Sequence, residues 1–383
     1  MICEKEKCTG CFACYNKCPQ KCISMKEDAF GAIYPCIDEQ KCIHCHLCEK
    51  TCPGNHPIKG QMPLKCFAMK SIQKEILRSS TSGGAATIFS KKILEQNGVV
   101  YGASFMEDRT VTHIRVEQFV DLKKLQGSKY VHSYMNDTFK QIETDLKNNR
   151  KVLLIGTPCQ IGGVKQYLKK EYENLYTMDI ICHGVPTQRF LKDEINSMVG
   201  KNQLVDNISF RNTDGFMLKL YCQKKQIFQR DMLASKYYLS FMNGISYREN
   251  CYTCPYANPN RISDITIGDF WGLGEDSSFF KTKEEGVSLI LPITQKGLIF
   301  IQECQKDMQL EERNIEEAIQ GNDQLRSPTK KSKQVEIFRN QYIHKGYRGT
   351  YNFTTFKMRI KNSIEKLPLL HTLYKKIKGV KNV

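Results

Sequence analysis

Short apolar runs alternate with amphipathic stretches through the middle of the chain. "GVVYGASF" (98–105), "HIRVEQF" (113–119), "KVLLIGTP" (151–158) and "LYTMDIICHG" (175–184) have the length and apolar content of strands. Between them lie "NDTFKQIETDLKNN" and "CQIGGVKQYLKKEY". In the first, Phe139, Ile142 and Leu146 fall at helical spacing behind Asn136, the expected N-cap. Alternation of strand and helix predicts an α/β sheet. The longest apolar runs, "KVLLIG" and "VSLILPI", are strand-sized and far short of the about 18 residues of a membrane span. The end of the chain differs: "TFKMRIKNSIEKLPLLHTLYKKIKGVKNV" spaces Ile360, Ile364 and Leu367, then Leu370, Leu373 and Ile377, at helical intervals among lysines, with Pro368 interrupting. Such a segment suits an anionic membrane surface, and equally suits packing on the body or on a partner with its lysines solvated.

The N-terminus follows another rule. "CTGCFACYNKCP" (8–19) returns 34 positions later as "CIHCHLCEKTCP" (42–53), each half reading Cys-x2-Cys-x2-Cys-x3-Cys-Pro. That is the spacing of bacterial ferredoxins, in which one short loop wraps three corners of a 4Fe-4S cluster and the fourth cysteine serves the other cluster. The expected sets are Cys8, Cys11, Cys14 and Cys52 for one cluster, and Cys42, Cys45, Cys48 and Cys18 for the second. Zinc sites pair their cysteines across a gap instead of taking three consecutive steps. Disulfides need an oxidising compartment, and no apolar signal region follows the opening Met-Ile-Cys-Glu-Lys, so a cytoplasmic location is expected. "CISMKEDAFGAIYPCID" reads as the small hairpin between the loops, and His44 and His46 as loop residues and not ligands.

With 383 residues, a ferredoxin module leaves room for one large α/β core and an appendage. The expected division is 1–60, 64–320 and 321–383. The net charge of +17 sits mostly in the last segment, where 15 Lys or Arg face only Asp323, Glu336 and Glu365. The body is therefore only mildly basic and carries no zinc-finger, RNA-recognition or helix-turn-helix signature, which argues against nucleic acid as a partner.

Three stretches exceed what folding requires. "SSTSGGAATIFSKKIL" (79–94) runs from a hydroxyl-rich turn with paired glycines into an amphipathic helix. Its free amides, the hydroxyls of Ser80, Thr81 and Ser82, and the slim Gly83 and Gly84 suit a flavin or nucleotide pyrophosphate, although serine-rich caps are common without one. "LQGSKYVHS" (125–133) sets Lys129 beside a Gly-Ser turn, able to neutralise a phosphate or the reduced flavin. The third is a set of cysteines at Cys159, Cys182, Cys251 and Cys254, two of them at strand ends, where α/β sheets bind ligands. Four such thiols could hold a third 4Fe-4S cluster; alternatively Cys159 and Cys182 are small buried residues and the Cys-x2-Cys pair binds zinc or is redox-active. Cys3, Cys22, Cys36, Cys66, Cys222 and Cys304 lack a ligand spacing and are expected to be free thiols.

Taken in order, "STSGGAATIFS", "GSKYVHS", "GTPCQIGGVKQYL", "DIICHGVP", "CYTCPYA" and "SDITIGDFWG" behind two ferredoxin motifs resemble the coenzyme F420 hydrogenase/dehydrogenase beta subunit family, over roughly residues 1 to 300. The resemblance implies a bacterial-type ferredoxin module (α+β) followed by a larger α/β flavin-binding domain; the basic, partly helical tail lies outside it. The resemblance also implies FAD held by Ser80, Ser82, Gly83, Gly84, Gly127, Ser128 and Lys129, and a core cluster on Cys159, Cys182, Cys251 and Cys254. His183 and Asp269, the latter close to Trp271, become candidates for proton handling or flavin contact. The implied activity is hydride exchange with a small organic substrate or coenzyme F420, coupled to single-electron transfer with a ferredoxin-like donor or acceptor. The alternative is a non-catalytic electron-transfer subunit serving a partner enzyme.

Overall fold

The computed structural model describes residues 2–212, 215–232 and 234–354, so the tail positions from Ile360 onward lie outside the described residues. The strands in chain order are β1 Ile23–Glu27, β2 Ile33–Ile37, β3 Phe67–Ser71, β4 Val99–Phe105, β5 Val111–Val116, β6 Val152–Gly156 and β7 Leu175–Ile180. They continue with β8 Asn207–Asn212, β9 Gly215–Cys222, β10 Lys225–Asp231, β11 Ile265–Asp269, β12 Ser288–Pro292 and β13 Met308–Glu312. The helices are α1 Ala13–Lys17, α2 Leu47–Lys50, α3 Lys74–Ser79, α4 Ala85–Glu95, α5 Thr138–Lys147, α6 Pro158–Leu168, α7 Gln188–Val199, α8 Lys236–Met242, α9 Gln295–Glu303, α10 Ile315–Gly321 and α11 Lys333–Thr354.

Eight strands form one mixed sheet in the order β13-β3-β12-β11-β7-β6-β4-β5. At its centre β4, β6, β7 and β11 run parallel, and antiparallel partners close both sides. Alternation along the strands fills both faces. Val100, Leu153 and Met178 pack with Ile88, Phe89 and Phe300 from α4 and α9. Val99, Tyr101, Val152 and Leu154 pack with Phe139, Ile142, Ile161 and Val164 from α5 and α6. The protein is thus an α/β fold with a mixed central sheet.

The expected start of α5 is corrected. Asn136 sits in the left-handed region (φ 40), where its Nδ2 donates to Thr112 Oγ1 at 3.0 Å. Asp137 occupies the N-cap position without a side-chain cap. α6 starts as its sequence demands: Thr157 and Gln160 form a capping box ahead of Pro158.

The N-terminal module carries the β1–β2 hairpin, paired from Ile23↔Ile37 to Glu27↔Ile33. It docks on α6, where Lys17 Nζ donates to the Tyr167 carbonyl (2.9 Å) and Thr51 Oγ1 to that of Gln166 (2.8 Å). Gly163 makes this approach possible, because a Cβ there would stand 3.0 Å from Cys11 Sγ. Between β7 and β11 the chain adds an antiparallel sheet, β10-β9-β8, cored by Phe190, Phe210, Tyr237 and Tyr238. The first part of the basic tail joins this unit: Phe338 is in its core, Tyr347 donates to Glu194 Oε2 at 2.6 Å, and Arg339 pairs with Glu249. Among the described residues no helix is long and apolar enough to cross a membrane.

Candidate functional site

The ferredoxin repeat is visible in the backbone. Gly10 (φ 65) and Phe12 (φ 67) have counterparts in His44 (φ 50) and His46 (φ 56), four left-handed residues that bend each cysteine loop around its own centre. Cys8, Cys11, Cys14 and Cys52 line one small space. Cys18, Cys42, Cys45 and Cys48 line a second. In each space the four thiols at ligand spacing stand among mostly apolar groups, a donor set that fits a thiolate-held cluster. His44 stands beside Cys42 and Glu39, their donor atoms within 4.8 Å of one another.

Two cysteines read as unattached thiols belong to these spaces. Cys3 lines the first, and its thiol hydrogen-bonds both Cys8 and Cys52, which holds Cys8 down to about 6 and Cys52 at about 7. Cys22 lines the second, with its Sγ 3.3 Å from that of Cys18.

The core cysteines gather at the carboxyl edge of the parallel strands. Cys159 lies in the first turn of α6, directly after β6, with Thr157 Oγ1 3.1 Å from its sulfur. Cys182 follows β7, while Cys251 lies in the turn Glu249–Thr253 and Cys254 caps it. Burial, then the neighbouring Cys251, Cys159 and Cys254, pushes the Cys182 thiol well up. Burial likewise pushes Cys159 to about 11 and Cys251 to about 12. Four thiols that perturb one another in a dry site are poor company unless a cation holds them. A tetrahedral zinc would need sulfurs about 3.8 Å apart, from Zn–S bonds of about 2.3 Å. Among the described residues no three of these four bring their sulfurs within 4.8 Å of one another.

At the same edge the two hydroxyl-rich turns meet. Thr81 Oγ1 and Ser128 Oγ are 3.2 Å apart. Ser82 Oγ is buried without a partner, and Gly127 (φ 77) faces open space. Gly83 admits no side chain, since a Cβ would stand 2.1 Å from the Met69 carbonyl. Gly84 (φ 96) caps α4, and Ser80 Oγ lies 3.5 Å from where its Cβ would be. Lys129 turns inward: its Nζ donates to the carbonyls of Gln126 (2.7 Å), Leu125 (3.0 Å) and Lys124 (3.2 Å). Part of the residue reaches the surface, yet burial of the ammonium holds it down to about 7.

Asp269 ends β11 and is paired with Arg211 at 2.6 Å. Arg211 also lies over the rings of Phe216 (4.9 Å) and Trp271 (5.4 Å). Tyr130 completes the wall through hydrogen bonds with Ser128 and Arg211, facing Asp269. His183, beside Cys182, is lowered by burial, with the carboxylates of Asp269 and Asp323 opposing. His183 and Asp269 thus act on each other through space, without a hydrogen bond between them among the described residues. Arg211 and Tyr130 were not found by sequence reasoning. No ligand spacing marks them, and Tyr130 stood inside "GSKYVHS" without a role of its own.

A ferredoxin module fused to an α/β domain with four further grouped cysteines defines an iron-sulfur protein of the oxidoreductase type. Residues 7–55 match the 4Fe-4S dicluster domain, and residues 149–318 match the C terminus of the coenzyme F420 hydrogenase/dehydrogenase beta subunit. Residues 149–318 thus carry the C-terminal domain of the coenzyme F420 hydrogenase/dehydrogenase beta subunit family, behind a 4Fe-4S dicluster domain.

The chain is similar to the coenzyme F420-dependent sulfite reductase of Methanocaldococcus jannaschii, 27% identical over 190 residues, 49% of this chain and 29% of that protein. It therefore spans less than a third of that relative's length. An uncharacterized protein of the same organism, MJ1349, is 22% identical over 75% of this chain and 84% of its own. The uncharacterized ferredoxin MJ0722 is 36% identical over 55 residues, 70% of its length and 14% of this chain. Among solved structures, a chain of the F420-reducing [NiFe] hydrogenase complex from Methanosarcina barkeri aligns with a TM-score of 0.47 at 16% identity, covering 80% of this chain and 92% of that one.

Proposed function

We propose that the protein is an FAD-containing iron-sulfur oxidoreductase that exchanges a hydride with a small organic substrate or coenzyme F420 and moves single electrons through three 4Fe-4S clusters. The ligand sets are Cys8, Cys11, Cys14 and Cys52; Cys42, Cys45, Cys48 and Cys18; and Cys159, Cys182, Cys251 and Cys254. The observation that carries this reading is α6. It bears Cys159 in its first turn, and four residues on, about 6 Å along the axis, Gly163 is pressed against the Cys11 thiol. One helix therefore spans the gap between the core thiols and the first N-terminal set.

FAD would supply two-electron hydride chemistry and the clusters one-electron carriage. Gly83, Gly84 and Gly127 give a pyrophosphate close backbone approach, and Ser80, Ser82 and Ser128 offer hydroxyls to it. Lys129 holds the 125–129 loop in shape through its three carbonyl bonds and gains charge when an anion arrives. His183, exposed beside Cys182, is a proton acceptor at the substrate edge. Arg211 fixes the Asp269 carboxylate there. Trp271, 54% exposed, presents a ring face to a planar substrate at the mouth. The name of the sulfite reductase relative favours coenzyme F420 among such substrates, and the beta-subunit description favours partner subunits that take or give electrons at the ferredoxin module.

The test is iron, sulfide and flavin content of protein purified without oxygen, with electron paramagnetic resonance after dithionite. About twelve irons and one FAD are expected, and Cys254→Ser should lose about four irons while sparing both N-terminal clusters. About eight irons with no flavin would overturn the enzyme reading and leave an electron-carrying subunit.

A further inference from the structure

Among the described residues Arg248 is the largest fully buried side chain, 1% exposed, and no carboxylate pairs with it. A guanidinium out of water and without a counter-charge is a costly arrangement. Its hydrogen bonds go to neutral groups: Nη2 donates to the carbonyls of Cys8 (3.0 Å) and Ile33 (3.1 Å), and Nε to Asn250 Oδ1 (3.3 Å). Nη1 is buried with no partner. The guanidinium lies 5.3 Å from the Tyr34 ring centre and packs on Gly10, whose Cβ would come within 3.0 Å of Nη2. Gly10 sits between Cys8 and Cys11.

Arg248 touches two cysteine sets that the chain separates by more than a hundred residues. Its guanidinium holds the Cys8 carbonyl and packs on the loop of the first N-terminal set, while its own carbonyl accepts from the Cys251 amide of the core set at 3.1 Å. Among the described residues no hydrogen bond joins Arg248 to Cys18, Cys42, Cys45 or Cys48 of the second N-terminal set. An unpaired cation with a spare N–H, wedged between two groups of thiols, lacks an anion on each side.

We propose that Arg248 is the shared counter-cation of the core cluster and of the cluster on Cys8, Cys11, Cys14 and Cys52, a positioning residue that raises both reduction potentials and favours electron passage between them. The proposal rests on the cluster reading above. A cluster held by four thiolates is anionic, and reduction adds one more negative charge without needing a proton; a fixed positive charge in a dry seam favours that reduced form. Arginine suits the task because it keeps its charge when buried.

The experiment compares the full chain with Arg248→Lys and Arg248→Met, all purified without oxygen, by iron content and by potentiometric titration followed with electron paramagnetic resonance. In Arg248→Met the reduction equilibria of the two flanking clusters should shift toward the oxidised form by tenfold or more, 59 mV for one electron. The cluster on Cys42, Cys45, Cys48 and Cys18 should stay within threefold of its original value and serves as the internal control. Arg248→Lys should recover a substantial part of the shift, which a purely structural role would not predict. Unchanged potentials in a fully loaded Arg248→Met overturn the proposal, as does an equal shift of all three clusters. If Arg248→Met does not fold, Arg248→Gln takes its place: a shift of the flanking pair alone supports the proposal and no shift sinks it. If the unmodified protein holds only about eight irons, the third-cluster reading has failed separately, and the two N-terminal clusters still decide whether Arg248 acts on one and not the other.

Discussion

Arg261 and Asp179 allow the link between stability and the core cysteines to be measured. Both are buried, at 2% and 0% side-chain exposure, with Nη2 and Oδ1 2.8 Å apart. Oδ1 also accepts from Thr266 Oγ1 at 2.7 Å, and Oδ2 has no partner. Replacing Arg261 by Met would leave the carboxylate in the core with one hydroxyl for company. Breaking a buried pair from one side costs about 3–5 kcal/mol, and in a unit of this size that lowers Tm by about 6–20 °C. Function should follow, because Arg261 Nη1 also donates to the Tyr256 carbonyl at 2.7 Å. Tyr256 lies two residues past Cys254, and Asp179 three residues before Cys182, so the pair clamps two core thiol segments together. Arg261→Met should lose core iron as well as stability. The double variant Arg261→Met with Asp179→Leu removes both charges and should recover much of the loss. Anaerobic thermal unfolding followed by circular dichroism, with iron counts on the same samples, provides both readouts. A single variant within about 1 kcal/mol of the parent, or a double variant as damaged as the two singles summed, would refute the coupling.

Three further outcomes are expected. Cys14→Ser should lose about four irons and loosen the N-terminal module, whose interior is mostly thiols, seen as faster proteolysis before residue 60; full iron retention would contradict the ligand set. Gly83→Ala must push a methyl toward the Met69 carbonyl, 2.1 Å from the Cβ position, and the Ser288 amide, 2.7 Å away, so it should cost about 1–3 kcal/mol and abolish flavin retention on gel filtration. His113 is held down to about 4 by burial, with its ring nitrogens at Ser133 Oγ (2.7 Å) and the Ile155 carbonyl (2.9 Å). Between pH 6.5 and 4 the unfolded chain then binds more protons than the folded one, so stability present above pH 6.5 falls by about 3 kcal/mol as the solution is acidified; His113→Gln should flatten that slope, and an identical slope would disprove the assignment.

What was legible from sequence had local rules behind it. The ferredoxin loops and the parallel strands each depend on residues close in the chain, and the two cysteine sets assigned from spacing line two separate spaces. Asn136 failed as a cap because its side chain found Thr112 on a neighbouring strand, a partner no local pattern announces. The β8–β10 sheet went unread: its outer strand β10 is half exposed along much of its length, which blurs the alternation that marks a buried strand. Burial of Phe338 in that unit gives the tail's first half a place that its basic composition concealed. Cys3 and Arg248 follow the same logic, since Cys3 lacks a spacing partner and Arg248 acquires its role only where residues 8, 33 and 248 meet. Its one cue was standing three residues before Cys251.

Gly163 has a consequence for kinetics. By letting the first cysteine loop rest on α6, it would make transfer between module and core, on the function proposed above, an intramolecular event with a fixed separation and a rate independent of dilution. An unattached carrier would have to find that surface by diffusion and leave it again at every turnover. Collision is then needed only at the far end, where Cys45 is exposed and Ile43 is 59% exposed beside it. The molecule is in effect an oxidoreductase-type protein with its ferredoxin module docked on the core.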